Sequence, residues 1–361
     1  MNTLLCQTLD LNYPLIQAPM AGVSTPELAA AVSNAGGLGS IGIGACITEQ
    51  ADAMITRTLA LTDAPINVNV FCHSRTARDT AREQAWIARF SEVFARFDAQ
   101  PPAALAEIYP TFVDNEPLLE VLLRTRPAVV SFHFGLPSAA FLQRLRARGI
   151  VTMATATGPE EARAVEAAGI DFIVAQGIEA GGHRGIFNPA GEDLALSTLT
   201  LVQAIRRVSR LPVIAAGGVM DGAGIAAVLK LGATGVQMGT AFVMCPESSA
   251  SDAYRRAIKT QSAAGTVMTS AISGRPARSL NNDFCRLTQA WPQDAAPGYP
   301  MTYALGKALG AAAAAKGVHG FSAQWAGQGG ALAREMPAAE LVAALIAEWR
   351  AAERVGSCPL A

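Results

Sequence analysis

The sequence predicts an α/β fold, a (β/α)8 TIM barrel with an additional substrate-binding lid domain. Three observations point to it. Short apolar runs alternate with longer amphipathic ones from the N-terminus onward. Eight such runs fall within about 250 residues, the span of one barrel. The runs are continuously apolar, as strands buried on both faces of a parallel sheet are. A doubly wound open sheet is the rival architecture. It is weakened because no G-x-G-x-x-G follows the first strand. GLGSIG at 37–42 comes after a helix and lies within the second strand.

PLIQAP (14–19) reads as the first strand. TPELAAAVSNAGG (25–37) follows as a helix, with Thr25 as N-cap and Pro26 at the first helical position. GLGSIGIG (37–44) is the second strand. Leu28 to Thr48 is uncharged and as long as a membrane span. Its five glycines, with Ser33, Asn34 and Ser40, fit a helix, a Gly-Gly turn and a strand better. PINVNVF (65–71), AVVSFHFG (128–135) and IVTMATA (150–156) are the third to fifth strands. GPEEARAVEAAGI (158–170) is helical, DFIVAQG (171–177) is the sixth strand and PVIAAGG (212–218) the seventh. MDGAGIAAVLKLGA (220–233) is a helix capped by Asp221, and TGVQMGT (234–240) is the eighth strand.

Two stretches exceed the repeat. Residues 74–127 are too long for one connecting helix and hold a Pro-rich turn, QPPAALAEIYP. Residues 263–335 are rich in Gly, Ala and aromatics, and are expected to form a lid over one end of the barrel. The barrel is expected to span residues 1–262. PAAELVAALIAEWRAAERV (337–355) reads as a closing amphipathic helix that packs back on it.

Composition narrows the function. The 361 residues carry a net charge of -1, with no basic block interleaved with aromatics, which argues against a nucleic-acid partner. Arg144, Arg146 and Arg148, like Arg206, Arg207 and Arg210, sit near helix ends, where cations suit the dipole. The 6 cysteines form no CxxC pair, so neither zinc nor a disulfide framework is expected. Reduced thiols fit a cytoplasmic protein. MNTLLCQTLD lacks the basic and apolar regions of a signal peptide.

Functional groups of such a barrel gather at the C-terminal ends of its strands. His133 lies at the end of the fourth strand, His183 just past the sixth and His73 just past the third. Three of the 4 histidines therefore share one predicted face. His73, beside Ser74 and Arg75, is read as structural. His183 stands among glycines in QGIEAGGHRG (176–185). That setting suits an imidazole that meets a ligand, and equally a tight turn.

AAGGVMDG (215–222) and QMGT (237–240) follow the seventh and eighth strands. Their glycines let backbone N–H groups approach a phosphate at the place where barrels commonly hold one. The ligand could be a sugar phosphate, a nucleotide or flavin mononucleotide (FMN). Met20, Asn69 and Gln176 would ring the same mouth and offer the apolar platform and amides a flavin needs. Each could instead be packing. In GYPMTYALGKALG (298–310), Tyr303 and Lys307 are i, i+4 and Tyr299 precedes them. Two phenols and an ammonium could clamp a small anion, or the helix could simply face solvent.

QAPMAGVSTPELAAAVSNAGGLGSIG, AQGIEAGGHRG and PVIAAGGVMDGAG, followed by GVQMGTAF, together resemble the class I nitronate monooxygenases, formerly called 2-nitropropane dioxygenases. The resemblance covers most of the chain. The glycine turns are shared with enoyl and quinone reductases of related FMN barrels, whereas EAGGHRG with Tyr299, Tyr303 and Lys307 looks like class I in particular. The resemblance implies one bound FMN and oxidation of alkyl nitronates by O2 without NAD(P)H. The notable substrate is propionate 3-nitronate, a toxic metabolite, converted to an oxo acid with nitrite and nitrate through single-electron transfer to the flavin. It further implies His183 as the active-site histidine and His133, Tyr109, Tyr299, Tyr303 and Lys307 as the substrate pocket. Gly217, Gly218, Gln237, Met238, Gly239 and Thr240 would hold the phosphate end of FMN, and Met20, Asn69, Gln176 and Gly181 would lie along the ring. Lys307, and His183 if protonated, would supply positive potential. No metal or membrane is expected, and the chain is expected as a monomer or homodimer. The alternatives are an FMN-dependent NAD(P)H oxidoreductase and a barrel that binds phosphorylated ligands without redox chemistry.

Overall fold

The computed structural model describes residues 3–292 and 295–355. A ring of parallel strands forms its centre: β1 (Leu15–Gln17), β2 (Gly39–Gly42), β3 (Ile66–Phe71), β4 (Val129–His133), β5 (Val151–Ala156) and β6 (Phe172–Gln176). After a short strand outside the ring, β7 (Gly182–His183), come β8 (Val213–Ala216) and β9 (Gly235–Met238). Hydrogen bonds run in the order β1-β9-β8-β6-β5-β4-β3-β2. A parallel bridge between Ile16 and Leu38 then joins the first strand to the last. The barrel is thus nearly closed, which leaves no long free edge. All eight predicted strands are present, each somewhat shorter than its predicted run.

The helices in chain order are α1 (Leu4–Leu9), α2 (Pro26–Asn34), α3 (Thr48–Leu61), α4 (Thr80–Arg89), α5 (Ser91–Ala95) and α6 (Glu116–Thr125). They continue with α7 (Ala139–Ala147), α8 (Pro159–Ala167), α9 (Thr198–Val208), α10 (Gly222–Lys230) and α11 (Thr240–Val243). The chain closes with α12 (Asp252–Gln261), α13 (Asp283–Thr288), α14 (Met301–Ala315) and α15 (Ala338–Val355). Thr25 caps α2 by accepting from the Leu28 N–H, and Asp221 caps α10 by accepting from the Gly224 N–H. The uncharged run from Leu28 resolves into α2, a turn and β2. No described helix is long and apolar enough to cross a membrane.

The interior of the barrel is filled by Ile16, Leu38, Val129, Met153, Phe172 and Ile214. Leu5 and Leu9 of α1 join this cluster. The larger core lies between the strands and the outer helices. Each fully buried Leu, Ile or Phe there is worth about 1.5–3 kcal/mol. Gly39 lets α2 lie directly on β2, since a Cβ at that position would sit 1.8 Å from the Ala29 carbonyl oxygen.

A separate core stands apart from the barrel's. Trp86, Phe90 and Phe94 from α4 and α5 pack with Phe284, Met301, Leu305 and Leu309. Of the long 74–127 excursion, then, α4 and α5 contribute to this second core, while α6 packs in the barrel's outer layer. Strands β10 (Thr266–Thr269) and β11 (Ala277–Leu280) form an antiparallel sheet with β7. That sheet ties the loop after β6 to the 263–335 stretch. Five described cysteines are free, and Cys358 lies outside the described residues.

Candidate active site

The histidine of QGIEAGGHRG is carried by a strand, not a plain turn. Gly182 adopts φ +74°, which only glycine takes without strain. His183 then pairs with Ala277 of β11. Behind it, Arg184 is buried and bonded to Asp193 at 2.8 Å and to the carbonyl oxygens of Gln176 and Gly177. The Gln176 amide completes the anchor: its Oε1 accepts from the Gly185 N–H at 2.7 Å and its Nε2 donates to the His183 carbonyl at 3.0 Å. The side chain of Gln176 therefore lines the mouth but spends its bonds on holding the loop.

One cavity at the C-terminal mouth of the barrel gathers the predicted residues. Met20, Asn69, Tyr109, His133, Gln176, Gly181 and His183 line it, as do Gly217, Gly218, Gln237, Met238, Gly239, Thr240, Tyr299 and Tyr303. Lys307 does not. It lines a second cavity, which shares Tyr109, Tyr303 and Trp325 with the first. The i, i+4 relation in α14 holds, with Lys307 Nζ 5.7 Å from the Tyr303 ring and 5.1 Å from the Tyr109 ring.

At one end of the first cavity, Gly217 and Gly218 have φ +116° and +73°. Among the described residues, the backbone N–H groups of Gly217, Gly218 and Gly239 have no acceptor. Three free donors at a cavity wall are what an anion requires. Thr240 Oγ1 accepts from the Gly327 N–H at 2.9 Å, which draws the segment around Gly327 over the glycine turns. Along the wall, Asn69 Nδ2 donates to Ser131 Oγ at 2.9 Å, and its side-chain oxygen has no donor among the described residues.

At the other end stands an aromatic cluster. The His183 ring lies 5.6 Å from Tyr299, 5.9 Å from Tyr303 and 5.0 Å from Trp325. Its Nε2 shares a hydrogen bond with Ser273 Oγ at 2.8 Å. His133 Nδ1 bonds Thr155 Oγ1 at 2.9 Å, and its Nε2 lies 3.2 Å from the His183 carbonyl oxygen. Burial, then the charge field of His133 and Arg275, pushes His183 down to about 3. Burial likewise lowers His133 to about 4. Both are therefore neutral near pH 7, and His183 supplies no positive charge, because its surroundings disfavour a buried imidazolium. Burial moves the phenols the other way. Tyr109 and Tyr303 rise to about 12, and Tyr299 well above its ordinary value. All three keep their protons, and the Tyr299 hydroxyl is buried with no partner.

Arg275 was not singled out from the sequence. It is buried, its Nε has no partner, and a second nitrogen donates to the Ile186 carbonyl. Its guanidinium lies 4.3 Å from the Phe134 ring, which also packs against His133 at 4.5 Å, Tyr299 at 5.5 Å and His183 at 5.6 Å. Burial lowers it to about 10, so it remains charged. The readable signal was its setting, since Arg275 and Arg278 are the two charges in the run 266–282. His73, read as structural, packs edge-on against Tyr299 at 4.9 Å and belongs to the same cluster. No group of side chains among the described residues could hold a metal ion.

The sequence profile of the nitronate monooxygenase family matches residues 2–348. A nitronate monooxygenase of Pseudomonas aeruginosa is 55% identical over 342 residues, covering 95% of this chain and 97% of that protein. A nitroalkane oxidase structure from Streptomyces ansochromogenes superimposes with a TM-score of 0.90 at 40% identity, covering 98% of this chain and 99% of that one. FabK from Thermotoga maritima follows at 0.74 and 29% identity, with 99% of each chain covered. The whole-length profile match and the high identity to a nitronate monooxygenase decide the assignment: the chain belongs to the nitronate monooxygenase family, a family of oxidoreductases.

Proposed function

We propose that the chain is an FMN-dependent oxidase of alkyl nitronates, with propionate 3-nitronate a favoured substrate and O2 the second reactant. One observation carries the reading: a single cavity holds free backbone donors at one end and a neutral histidine among proton-bearing phenols at the other. FMN fits this donor set. The N–H groups of Gly217, Gly218 and Gly239, with the Gln237–Thr240 segment, would hold its phosphate. Met20, Gly181 and the Asn69 carbonyl would face the ring. When bound, the flavin would take an electron from the nitronate and pass reducing equivalents to O2.

The chain's own residues would bind and orient the substrate. A nitronate is already an anion, so no proton need be removed from carbon. Its oxygens need donors, and the protonated hydroxyls of Tyr299, Tyr303 and Tyr109 can supply them. Arg275 adds a fixed positive charge behind Phe134. The second core, drawn from α4, α5 and residues 263–335, would act as the lid that keeps water out. Free thiols agree with a cytoplasmic setting.

His183 is available as a base, but a weak one at about 3. Neutral nitroalkanes, which must first lose a proton, should turn over at least about 100-fold more slowly than nitronates near pH 7. His183→Asn should lower nitroalkane turnover further and affect nitronate turnover less. Steady-state oxygen uptake with both substrate forms checks this. Equal rates on the two forms, or equal losses in the variant, would contradict the assigned role.

A further inference from the structure

Ser273 is fully buried in the turn between β10 and β11, and its hydroxyl meets three polar atoms. Its oxygen lies 2.8 Å from His183 Nε2, donates to the Arg275 carbonyl oxygen at 3.2 Å and accepts from the Arg275 N–H at 3.4 Å. A serine hydroxyl has one proton to give and two lone pairs. Among the described residues, no other donor reaches the Arg275 carbonyl oxygen, and Arg275 is itself buried. A buried carbonyl without a donor is costly, so the single proton goes there. Toward His183 the Ser273 oxygen is then an acceptor, and His183 Nε2 carries the imidazole proton.

A neutral imidazole has one N–H and one lone pair, so Nδ1 of His183 holds the lone pair. That atom has no hydrogen-bond partner among the described residues and is not sealed from the cavity that the ring lines. Trp325 at 5.0 Å and Phe134 and Tyr299 at 5.6 Å crowd the ring and resist its turning away from Ser273. The backbone is held too. The His183 carbonyl oxygen accepts from Gln176 Nε2 at 3.0 Å and lies 3.2 Å from His133 Nε2. A carbonyl only accepts, so His133 carries its own proton on Nε2 and holds the same loop.

We propose that Ser273 is a positioning residue that fixes His183 as its Nε2–H tautomer and presents Nδ1 to the cavity as an acceptor only. Ser273 does not line that cavity and acts through His183. An acceptor nitrogen cannot donate to a nitronate oxygen, so that task falls to the phenols. It can take a proton from the carbon of a neutral nitroalkane. The C–H bond then breaks, the proton moves to Nδ1 and the electron pair stays on the substrate, which becomes the nitronate. Ser273 therefore matters more to the neutral form than to the anion. This consequence rests on the nitronate reading, whereas the tautomer does not.

The test uses the flavin-loaded protein labelled with 15N-histidine, and its S273A and H183N variants. Long-range 15N–1H correlation spectra at pH 7 show which ring nitrogen bears the proton, and the signals lost in H183N identify His183. The wild type should show His183 protonated at Nε2, and S273A a mixture of both tautomers. A wild-type His183 protonated at Nδ1 would overturn the proposal, as would an unmixed Nε2–H tautomer in S273A. If S273A does not fold, the wild-type spectrum alone decides. Oxygen uptake adds the kinetic signature. S273A should lose about tenfold in kcat on a neutral nitroalkane, with KM little changed, and lose less on the matching nitronate. Equal losses on the two forms would contradict a role through the Nδ1 lone pair. If neither form is turned over by the wild type, the nitronate reading falls, and the spectra still decide the tautomer.

Discussion

At the scale of single residues, the site disfavours protons on its imidazoles and keeps them on its phenols. His183, His133 and His73 are all lowered, to about 3, 4 and 4, with burial as the leading cause. An unfolded histidine titrates near 6.5, so between about pH 4 and 6.5 the unfolded chain binds protons that the folded chain refuses. Stability from these groups is complete above about pH 6.5 and falls as the pH drops toward 4. Each contributes a slope of up to about 1.4 kcal/mol per pH unit within that window. Urea midpoints measured at pH 7 and pH 5 should show the fall, and His183→Asn should remove part of it. A midpoint that does not move would mean the imidazoles are charged in the folded protein. Sequence reading found His133 and His183 by their places at strand ends. It missed Ser273 and Arg275, whose role comes from the turn between β10 and β11 that reaches the loop of His183.

Among the elements, the strands were legible because each is a continuous apolar run closed by Gly or Pro. The caps Thr25 and Asp221 were legible for the same local reason. Strand β7 was not, since Gly182 and His183 have no strand pattern and are ordered by pairing with Ala277 and Arg278 far along the chain. The second core was only half visible. Chain order pointed to residues 263–335, whereas Trp86, Phe90 and Phe94 arrive from the earlier excursion through long-range packing. Trp86 packs edge-on against Phe90 at 5.3 Å and Trp291 at 5.4 Å. Trp86→Ala should cost about 3–5 kcal/mol locally. Amide exchange should then quicken in α4, α5 and α14 while β3 to β6 keep their protection. Uniform quickening across the barrel would show that the second core and the barrel open as one unit.

For the whole molecule, the barrel supplies a ring whose strand ends present the glycine donors, while Tyr303 and Trp325, packed against the second core, join Tyr299 around the histidine. Neither half alone makes the site. The two reductase-like and oxidase-like readings share the glycine turns, so they part at the roof and not at the phosphate. The decisive measurement is anaerobic mixing of the flavin-loaded protein with propionate 3-nitronate, and separately with NADH, while the absorbance of the oxidised flavin is followed. Rapid loss of that absorbance with the nitronate, and none with NADH, is the predicted result. Bleaching by NADH with no response to the nitronate would contradict the account and make the chain a pyridine-nucleotide-driven reductase.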